Sequence, residues 1–362
     1  MSISLRRLAQ LAEVSPSSAW RALHGHGDAS PAMRRKILAL ARKHHFPLPP
    51  ARATETPNLL NSLCSMVDTE FDETNSAKGF HHRLLSGLNH AARSCGVELL
   101  NISSTPEKPE TWMSEWPLVV NRKQVDGVVF VLGNELDPHP PFPAPIPTVF
   151  LFNGPPQADV VTVANFDGGR RLGARLAELG HRRVAYMGSR SDMSLERLAG
   201  LRLALELTQG SVPPEWTDIP PQVGGRELVA LRLDQLVMTR RASARGPDGF
   251  TALMCYNDYM AAAAVMHLRQ NGVRVPEDVS VVGFDNVRPD WYDGPALTTM
   301  AVPLEEIGAE AVRLLYWRLA HPDAPPRRLS LAAPLVVGES TRAVGCAVLK
   351  SAANGRQRAA NL

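Results

Sequence analysis

The sequence is poor in cysteine and contains no long apolar run, and both absences narrow the classes of protein to consider. Its four cysteines, Cys64, Cys95, Cys255 and Cys346, are too dispersed for a zinc knuckle or for the disulfide framework of a small secreted protein. No segment reaches the roughly 18 to 20 apolar residues of a membrane span, and residues 1–11 lack the apolar core of a signal peptide. We therefore expect a cytoplasmic protein without a metal or another cofactor.

Acidic residues are scarce at the start of the chain. Residues 1–52 contain nine arginines and lysines against Glu13 and Asp28, a formal charge of +7, which leaves about −4 of the total of +3 for the remainder. A basic head suits a polyanionic partner such as DNA, since each neutralised phosphate releases condensed counterions. A solvated basic helix face is the plain alternative.

The head contains the signals of three short helices. Leu5 and Leu8 belong to an apolar stripe at helical spacing, which predicts the first helix. Ser15 directly before Pro16 is typical of an N-cap followed by the first helical position, and this pair predicts the second helix. Ser30-Pro31 predicts the start of a third helix. Three helices at this spacing form either a helix-turn-helix domain or a small structural bundle.

Five segments of the head match a known sequence pattern. They are Leu5 to Ala12, Val14-Ser15, Ser18-Ala19, Arg21-Ala22-Leu23 and His24-Gly25. In this order they resemble the start of the lactose-repressor/galactose-repressor (LacI/GalR) family of transcriptional regulators, in which the second helix lies in the major groove of DNA. The resemblance implies contacts with bases, phosphates and sugars from residues on and around that helix. The implied DNA-binding residues are Ser4, Leu5, Pro16, Ser17, Ser18, Arg21, His24 and Arg52.

Four head residues depart from the family pattern. Arg7, Glu13, Trp20 and His24 stand where the family has an aspartate, the turn glycine, a serine and an asparagine. A left-handed backbone at a non-glycine residue costs on the order of 1 kcal/mol, so we expect Glu13 to weaken the turn without preventing it. Trp20 either packs inward or stacks against sugar and phosphate, and the sequence leaves both open.

The segment after the head is rich in proline, at positions 47, 49, 50 and 57. Family members have a hinge helix here, with a leucine that inserts into the minor groove, and that leucine is missing. Prolines favour an extended linker, and inserted apolar side chains kink DNA by about 20 to 90 degrees. We therefore predict weak bending at the operator centre, which a bending assay on bound DNA tests.

Beyond residue 58 the chain alternates β-rich runs with amphipathic helices. This alternation predicts parallel sheets with helices on both faces. The predicted strands are 63–68, 97–102, 127–132, 148–152, 183–188, 252–256 and 280–284. The predicted helices are 76–95, 167–180, 194–209, 225–240, 258–271 and 304–320.

An ordered set of body motifs is similar to the effector domain of the same family, which has a periplasmic-binding-protein fold. The motifs are 165–169, 179–185, 196–200, 257–258, 274–286, 295–299 and 339–341. The resemblance implies an α/β protein in which a three-helix helix-turn-helix head and linker (1–57) precede a two-lobed periplasmic-binding-protein-like body with parallel sheets (58–342). The first lobe is expected to comprise 58–162 and 291–325, the second 163–290 and 326–342, with 343–362 as a disordered tail.

In this fold the ligand lies between the lobes, beyond the carboxyl ends of the strands. The resemblance assigns effector contacts to Arg197, Asn257 and Asp285, whose donors and acceptors suit the hydroxyls of a sugar. Asn257 as a helix cap and Asp285 as a turn residue are the alternatives. Weaker candidates follow the strands or offer an aromatic face, which ordinary packing explains equally well: Asp68, Phe152 and Trp291.

The sequence therefore predicts a repressor whose affinity for a palindromic, double-stranded DNA operator is set by a small effector, most simply a carbohydrate. A palindrome implies a homodimer. An enzyme is the first alternative, but the G-x-x-x-x-G-K-[ST], G-x-S-x-G and H-E-x-x-H signatures are missing, so we predict a non-enzyme. The second alternative is a receptor of the same fold that has lost DNA binding.

Overall fold

The structure is a computed structural model in which the chain divides into two compact units. It describes residues 5–24, 33, 36, 37, 40, 41, 46, 60, 62–68, 78–104, 118–131, 146–220, 226–242 and 249–344. The units are Met1–Leu59, here called the head, and Leu60–Leu362, here called the body. The predictions made for Ser4, Arg52, the linker 47–57 and the tail from 345 onward lie outside the described residues.

The head begins with the two predicted helices, α1 (Leu5–Ala12) and α2 (Pro16–His24). Their apolar faces meet in a small core to which residues of the predicted third helix contribute. Its buried members are Leu8, Ala9, Ala12, Ala19, Leu23, Ile37 and Ala41. Because every member comes from one of three short apolar stripes, the amphipathic pattern alone accounts for this packing.

The turn between α1 and α2 forms in spite of its missing glycine. Glu13 has a φ of 60°, and the Val14 amide donates to the Ala9 carbonyl across the turn at 3.0 Å. The Ser15 hydroxyl accepts from the Ser18 amide at 3.1 Å, which is the predicted N-cap of α2. The strain at Glu13, on the order of 1 kcal/mol, is thus tolerated.

The first lobe of the body contains a six-stranded parallel sheet of order β11-β5-β4-β3-β1-β2. Its strands are β1 (Ser62–Asp68), β2 (Glu98–Ser104), β3 (Gly127–Val131), β4 (Thr148–Leu151), β5 (Asp159–Val163) and β11 (Arg328–Leu331). Its helices are α3 (Lys78–Ser94), α4 (Leu118–Asn121) and α9 (Leu304–Ala320). The central strands β3 and β4 are buried along their whole length, as expected for a sheet covered on both faces.

The second lobe contains a four-stranded parallel sheet of order β7-β6-β8-β9. Its strands are β6 (Val184–Met187), β7 (Thr217–Asp218), β8 (Ala252–Cys255) and β9 (Ser280–Val282). Its helices are α5 (Asn165–Glu178), α6 (Asp192–Glu206), α7 (Arg226–Ala242) and α8 (Asp258–Gln270). The antiparallel pair β10 (Thr299–Met300) and β12 (Leu335–Val336) joins the connections between the lobes. The predicted α/β class with parallel sheets is confirmed.

Strand pairing contradicts two of the predicted lobe limits. β11 was predicted to belong to the second lobe, but Arg328 pairs with Val160 at the edge of the first sheet. Residues from 291 onward were predicted to belong to the first lobe, but Thr298 bridges to Val282 of β9. The chain therefore changes lobe between β5 and α5, between β10 and α9, and between β11 and β12. β10 and β12 have only two residues each, and β11 alternates exposed and half-buried residues, so no hydrophobic pattern assigns them to a sheet.

Close packing of α5 against α6 fixes the edge of the second lobe where the site lies. A Cβ added to Gly200 would lie 2.0 Å from the Phe166 carbonyl oxygen, and one added to Gly169 would lie 2.1 Å from that of Arg197. Only glycine allows the two backbones this approach. Within the described part of the chain, no helix is both long and apolar enough to cross a membrane.

Candidate functional site

The candidate effector residues of the second lobe lie at the carboxyl edge of its parallel sheet. Arg197 is in the second turn of α6, which follows β6, and Asn257 directly precedes α8, which follows β8. Asp285 comes three residues after β9 ends. Because carboxyl ends of parallel strands meet at one edge, the three candidates share one face of the lobe.

Arg197 is buried and held before any ligand binds. Its Nε donates to Asn165 Oδ1 at 2.9 Å, and its Nη1 donates to the Tyr256 carbonyl at 2.6 Å. The guanidinium carbon lies 3.7 Å from the ring centroid of Phe284 and 4.6 Å from that of Tyr256. Two aromatic faces and two hydrogen bonds therefore fix the guanidinium, whose remaining nitrogen, Nη2, points toward Asp285.

Asp285 is close to Arg197 without bonding to it. Its Oδ1 lies 3.9 Å from Arg197 Nη2, and 14% of its side chain is exposed. Burial raises the pKa of Asp285 to about 7, although the Arg197 charge opposes the rise. Its carboxylate thus retains hydrogen-bonding capacity that a sugar hydroxyl can use.

The backbone at Asp285 is strained. Asp285 and Asn286 have φ values of 115° and 57°, a conformation that costs non-glycine residues on the order of 1 to 3 kcal/mol each. Hydrogen bonds from the Asp285 amide to Met300, and from the Val302 amide to Asp285, hold the segment in place. Strain held by the surroundings is typical of ligand sites.

Asn257 is the N-cap of α8. Its Oδ1 accepts from the Met260 amide at 2.9 Å, which is the structural role that the sequence offered as the alternative to ligand binding. Next to Asn257, burial and the Asp285 charge raise the pKa of Asp258 well above its ordinary value, and the Asp258 carboxylate accepts from the Val287 amide at 2.9 Å.

Trp291 belongs to an aromatic group beside Asn257. Its ring lies edge-on to Tyr259, with the centroids 5.4 Å apart, and 6.5 Å from the ring of Tyr292. The Arg226 guanidinium lies 4.8 Å above the Trp291 ring. Trp291 therefore combines ordinary aromatic packing with a charged neighbour that sequence reasoning missed.

The two weaker candidates from the first lobe lie on its parallel sheet. Phe152 directly follows β4 with a φ of 68°, and its buried ring packs 5.4 Å from that of Phe80. Asp68 ends β1, where it pairs with Ser104. A Cβ added to Gly79 would lie 3.1 Å from Val287 of the second lobe. The start of α3 therefore touches the segment that carries Asp285.

The exposed face of α2 is the candidate DNA-reading surface of the head. Pro16 and Ser17 are exposed, Ser18 and Leu5 are half-buried, and Arg21 and His24 lie farther along α2. Trp20 is 43% exposed on the same helix, so it is outside the head core. Of the two roles left open by the sequence, inward packing is wrong.

Comparisons with known proteins agree with this architecture. Residues 174–341 match the family model of the periplasmic binding protein-like domain. The transcriptional regulator CelR of Thermobifida fusca is 29% identical over 347 residues, covering 93% of this chain and 98% of that protein. The HTH-type transcriptional repressor PurR of Mannheimia succiniciproducens is 24% identical, covering 94% of this chain and 99% of that protein. The solved complex of CelR with cellobiose has a TM-score of 0.64 at 25% identity, covering 93% and 99%.

The chain is thus similar over nearly its whole length to HTH-type transcriptional regulators, as the resemblance to the LacI/GalR family implied. This similarity supports a DNA-binding transcriptional regulator modulated by an effector. The alignments with CelR and PurR cover nearly the whole length of both proteins.

Two residues of the body motifs form hydrogen bonds between segments of the second lobe. Ser340 Oγ accepts from the Thr298 amide at 2.9 Å and donates to the Val281 carbonyl at 2.6 Å. His181 is buried, with Nδ1 2.7 Å from Thr251 Oγ1 and Nε2 3.0 Å from Ser280 Oγ. These contacts give Ser340 and His181 a structural role that involves no ligand.

The sequence analysis did not predict the residues that hold the candidate site residues in place from neighbouring helices and loops. Asn165 and Phe284 fix Arg197 but lie far from it in sequence. Asn165 opens a motif that was recognised, and Phe284 directly precedes Asp285, so adjacency to a candidate was the available signal. Arg226 carried no such signal, because its partner Trp291 is 65 residues away.

Proposed function

We propose that this regulator is a repressor that reads a palindromic DNA operator as a homodimer in the cytoplasm and responds to a carbohydrate bound between its lobes. The observation that carries the proposal is the prearranged group of Arg197, Asn257 and Asp285 at the carboxyl edge of the second sheet. It offers a guanidinium, an amide and a carboxylate from three different elements. Such a set suits the mixed donors and acceptors of a sugar.

Support for the DNA-reading role comes from α2. The helix begins at a serine cap, so its first turn is well defined, and Pro16 and Ser17 expose that turn to solvent. A helix inserted by its N-terminal part into the major groove presents such residues to base edges and phosphates. The +7 charge of residues 1–52 supplies the sequence-independent attraction.

Support for the effector role comes from both lobes. Phe152 and Phe80 give the first lobe an apolar wall next to Gly79, and Gly79 faces Val287 of the second lobe. A ligand on Asp285 therefore binds beside the contact between lobes. We propose that cellobiose, which CelR binds, and other small saccharides are the first ligands to test.

Support for a homodimer comes from exposed leucines. Leu228 and Leu231, one turn apart at the start of α7, are 40% and 57% exposed. Leu100 is also exposed, on β2, which forms an edge of the six-stranded sheet. Exposed leucines one turn apart, and an exposed leucine on an edge strand, are typical of surfaces that meet a second copy.

The test is selection of genomic DNA fragments by the purified full-length protein, followed by a search for a shared motif. We expect a palindrome with two half-sites, with affinity that falls steeply as salt rises. Adding saccharides to the operator complex then identifies the effector by a change in DNA affinity, either release or tighter binding. Folded protein that enriches no motif at low salt would instead favour the receptor that has lost DNA binding, for which exposed Trp20 on the reading helix is the relevant observation.

A further inference from the structure

Arg226 lies at the carboxyl edge of the second lobe and has no counterion among the described residues. It begins α7 and is exposed. Its guanidinium stacks on the Trp291 ring at 4.8 Å, and no described carboxylate forms an ion pair with it. The other arginine of the site, Arg197, faces Asp285 and donates to protein oxygens. Arg226 is thus held in position by stacking while its hydrogen-bond donors stay available.

Trp291 adds a second unused donor at the same place. Its indole Nε1 is buried and has no hydrogen-bond acceptor among the described residues. A buried N–H without an acceptor costs about 1 to 3 kcal/mol, and this cost is recovered when a ligand supplies one. The stacked pair therefore offers an N–H group and a planar guanidinium to a ligand rich in acceptors.

Two carboxyl groups near this pair oppose an anion less than exposed carboxylates would. The charged residues on the segments that meet here are Arg197, Arg226 and Arg288, the buried Asp258, the half-buried Asp285, and the exposed Glu227, Asp290 and Asp293. Burial raises the pKa of Asp285 to about 7 and that of Asp258 well above its ordinary value. Near neutral pH these two groups carry less negative charge than exposed carboxylates would, so they repel an anion weakly.

We propose that the Arg226–Trp291 pair is a subsite for an anionic substituent of the effector, either the carboxylate of a uronic acid or the phosphate of a sugar phosphate. Tyr259, whose ring touches Trp291, is two residues from Asn257, so the subsite adjoins the residues proposed to bind the sugar hydroxyls. A guanidinium binds carboxylate and phosphate with two parallel hydrogen bonds, which gives the pair its selectivity. This inference depends on the proposed effector role and specifies its ligand class.

The test compares matched neutral and anionic sugars by titration calorimetry on the full-length protein. The pairs are glucose with glucuronate and glucose 6-phosphate, galactose with galacturonate, and ribose with ribose 5-phosphate. We expect an anionic member to bind about 10-fold or more tightly than its neutral partner, with an advantage that shrinks as salt rises. Whether uronates or phosphates show it decides between the two sources of negative charge.

Two variants locate the effect. Arg226→Gln should bring the affinity for the anionic sugar down to that of its neutral partner while leaving the neutral one unchanged. Trp291→Phe keeps a ring but removes the N–H, so it should show a smaller loss. Arg327→Gln is the matched control, because Arg327 also stacks on a tryptophan, at 3.3 Å from the Trp317 ring, but at the opposite, amino edge of the first sheet, next to Asp159.

The outcomes separate this inference from the proposed function. Equal or tighter binding of the neutral members, binding of no anionic member, or an Arg226→Gln variant that keeps the anionic preference would each overturn the subsite. If a palindromic operator is enriched and only a neutral saccharide changes the affinity for it, the subsite fails while the regulator stands. If the operator selection also fails, the proposed function fails with it.

Discussion

At the scale of single residues, burial sets the chemistry of the candidate site. Asp285 would have a pKa near 3.9 in an unfolded chain, whereas burial raises it to about 7 in the folded protein despite the nearby Arg197. The folded state therefore favours the protonated form. This contribution to stability is complete below pH 4 and is lost as the pH rises through 7.

Asp285→Asn should therefore stabilise the folded protein and weaken its binding of the effector. Asparagine removes the buried charge, so the free energy of unfolding should rise by about 1 to 3 kcal/mol at pH 8 and much less at pH 5. The lost carboxylate should raise the effector Kd about 10-fold or more. Thermal melts across this pH range and effector titration measure both changes. Asp290→Asn, at an exposed position of the same segment, is the control and should change neither.

His181 predicts a pH dependence of the opposite sign. Burial lowers its pKa below the ordinary 6.5, so the folded protein disfavours the imidazolium. Stability is therefore retained above pH 6.5 and decreases as the pH falls below it. His181→Gln should lower the melting temperature at pH 7.5 and flatten its decline between pH 6.5 and 5. An equal decline in the variant, with exposed His90→Gln as reference, would rule out this role.

At the scale of secondary-structure elements, the α5–α6 contact controls where Arg197 lies. Gly200 is one turn after Arg197 on α6, and a Cβ there would collide with the Phe166 carbonyl at 2.0 Å. Gly200→Ala should destabilise the protein by about 1 to 3 kcal/mol by forcing the helices apart. It should also raise the effector Kd, because Arg197 moves away from Asn165. Denaturant unfolding measures the first effect, and the exposed neighbour Ala199→Ser should leave both unchanged.

Elements with a clear pattern were predictable from the sequence, and elements fixed by tertiary contacts were not. The helix-turn-helix, the long amphipathic helices and the buried central strands follow from periodicity and capping residues such as Ser15. β5 was missed between prolines and α5. β7, β10 and β12 have only two residues each, and β11 is partly exposed, whereas the short strands that were predicted are buried along their whole length.

The residues of the candidate site also include some that the sequence predicts and some that only tertiary contacts reveal. Arg197 and Asp285 were predicted from motifs, and the structure brings them within 3.9 Å; their binding of an effector stays a prediction. Phe152 was predicted beside them, but its ring packs against Phe80. The pairing of Arg226 with Trp291 depends on how α7 packs against the loop after β9, which no local pattern encodes.

At the scale of the whole molecule, the exposed start of α7 predicts self-association. Leu228→Glu combined with Leu231→Glu should shift the protein from dimer to monomer at micromolar concentration, because two carboxylates would be buried at the interface. Operator affinity should fall with it, since a palindrome is bound by two heads. Sedimentation analysis measures the mass. Leu207→Glu, 76% exposed at the end of α6, is the matched control; a monomer from this variant, or a dimer from the double one, would place the interface elsewhere.

Because Arg197 is fixed before a ligand binds, binding of a ligand to the second lobe and the signal to the DNA-binding head are separate events. Because Asn165, Tyr256 and Phe284 already hold the guanidinium, a ligand gains affinity from the second lobe without reorganising it. A ligand changes an equilibrium only through different affinities for its two states, so the signal must come from what the ligand gains when the first lobe closes on it. A fragment that fills only the half of the site made by the second lobe would therefore be a silent competitor, which displaces the effector without changing the affinity for the operator.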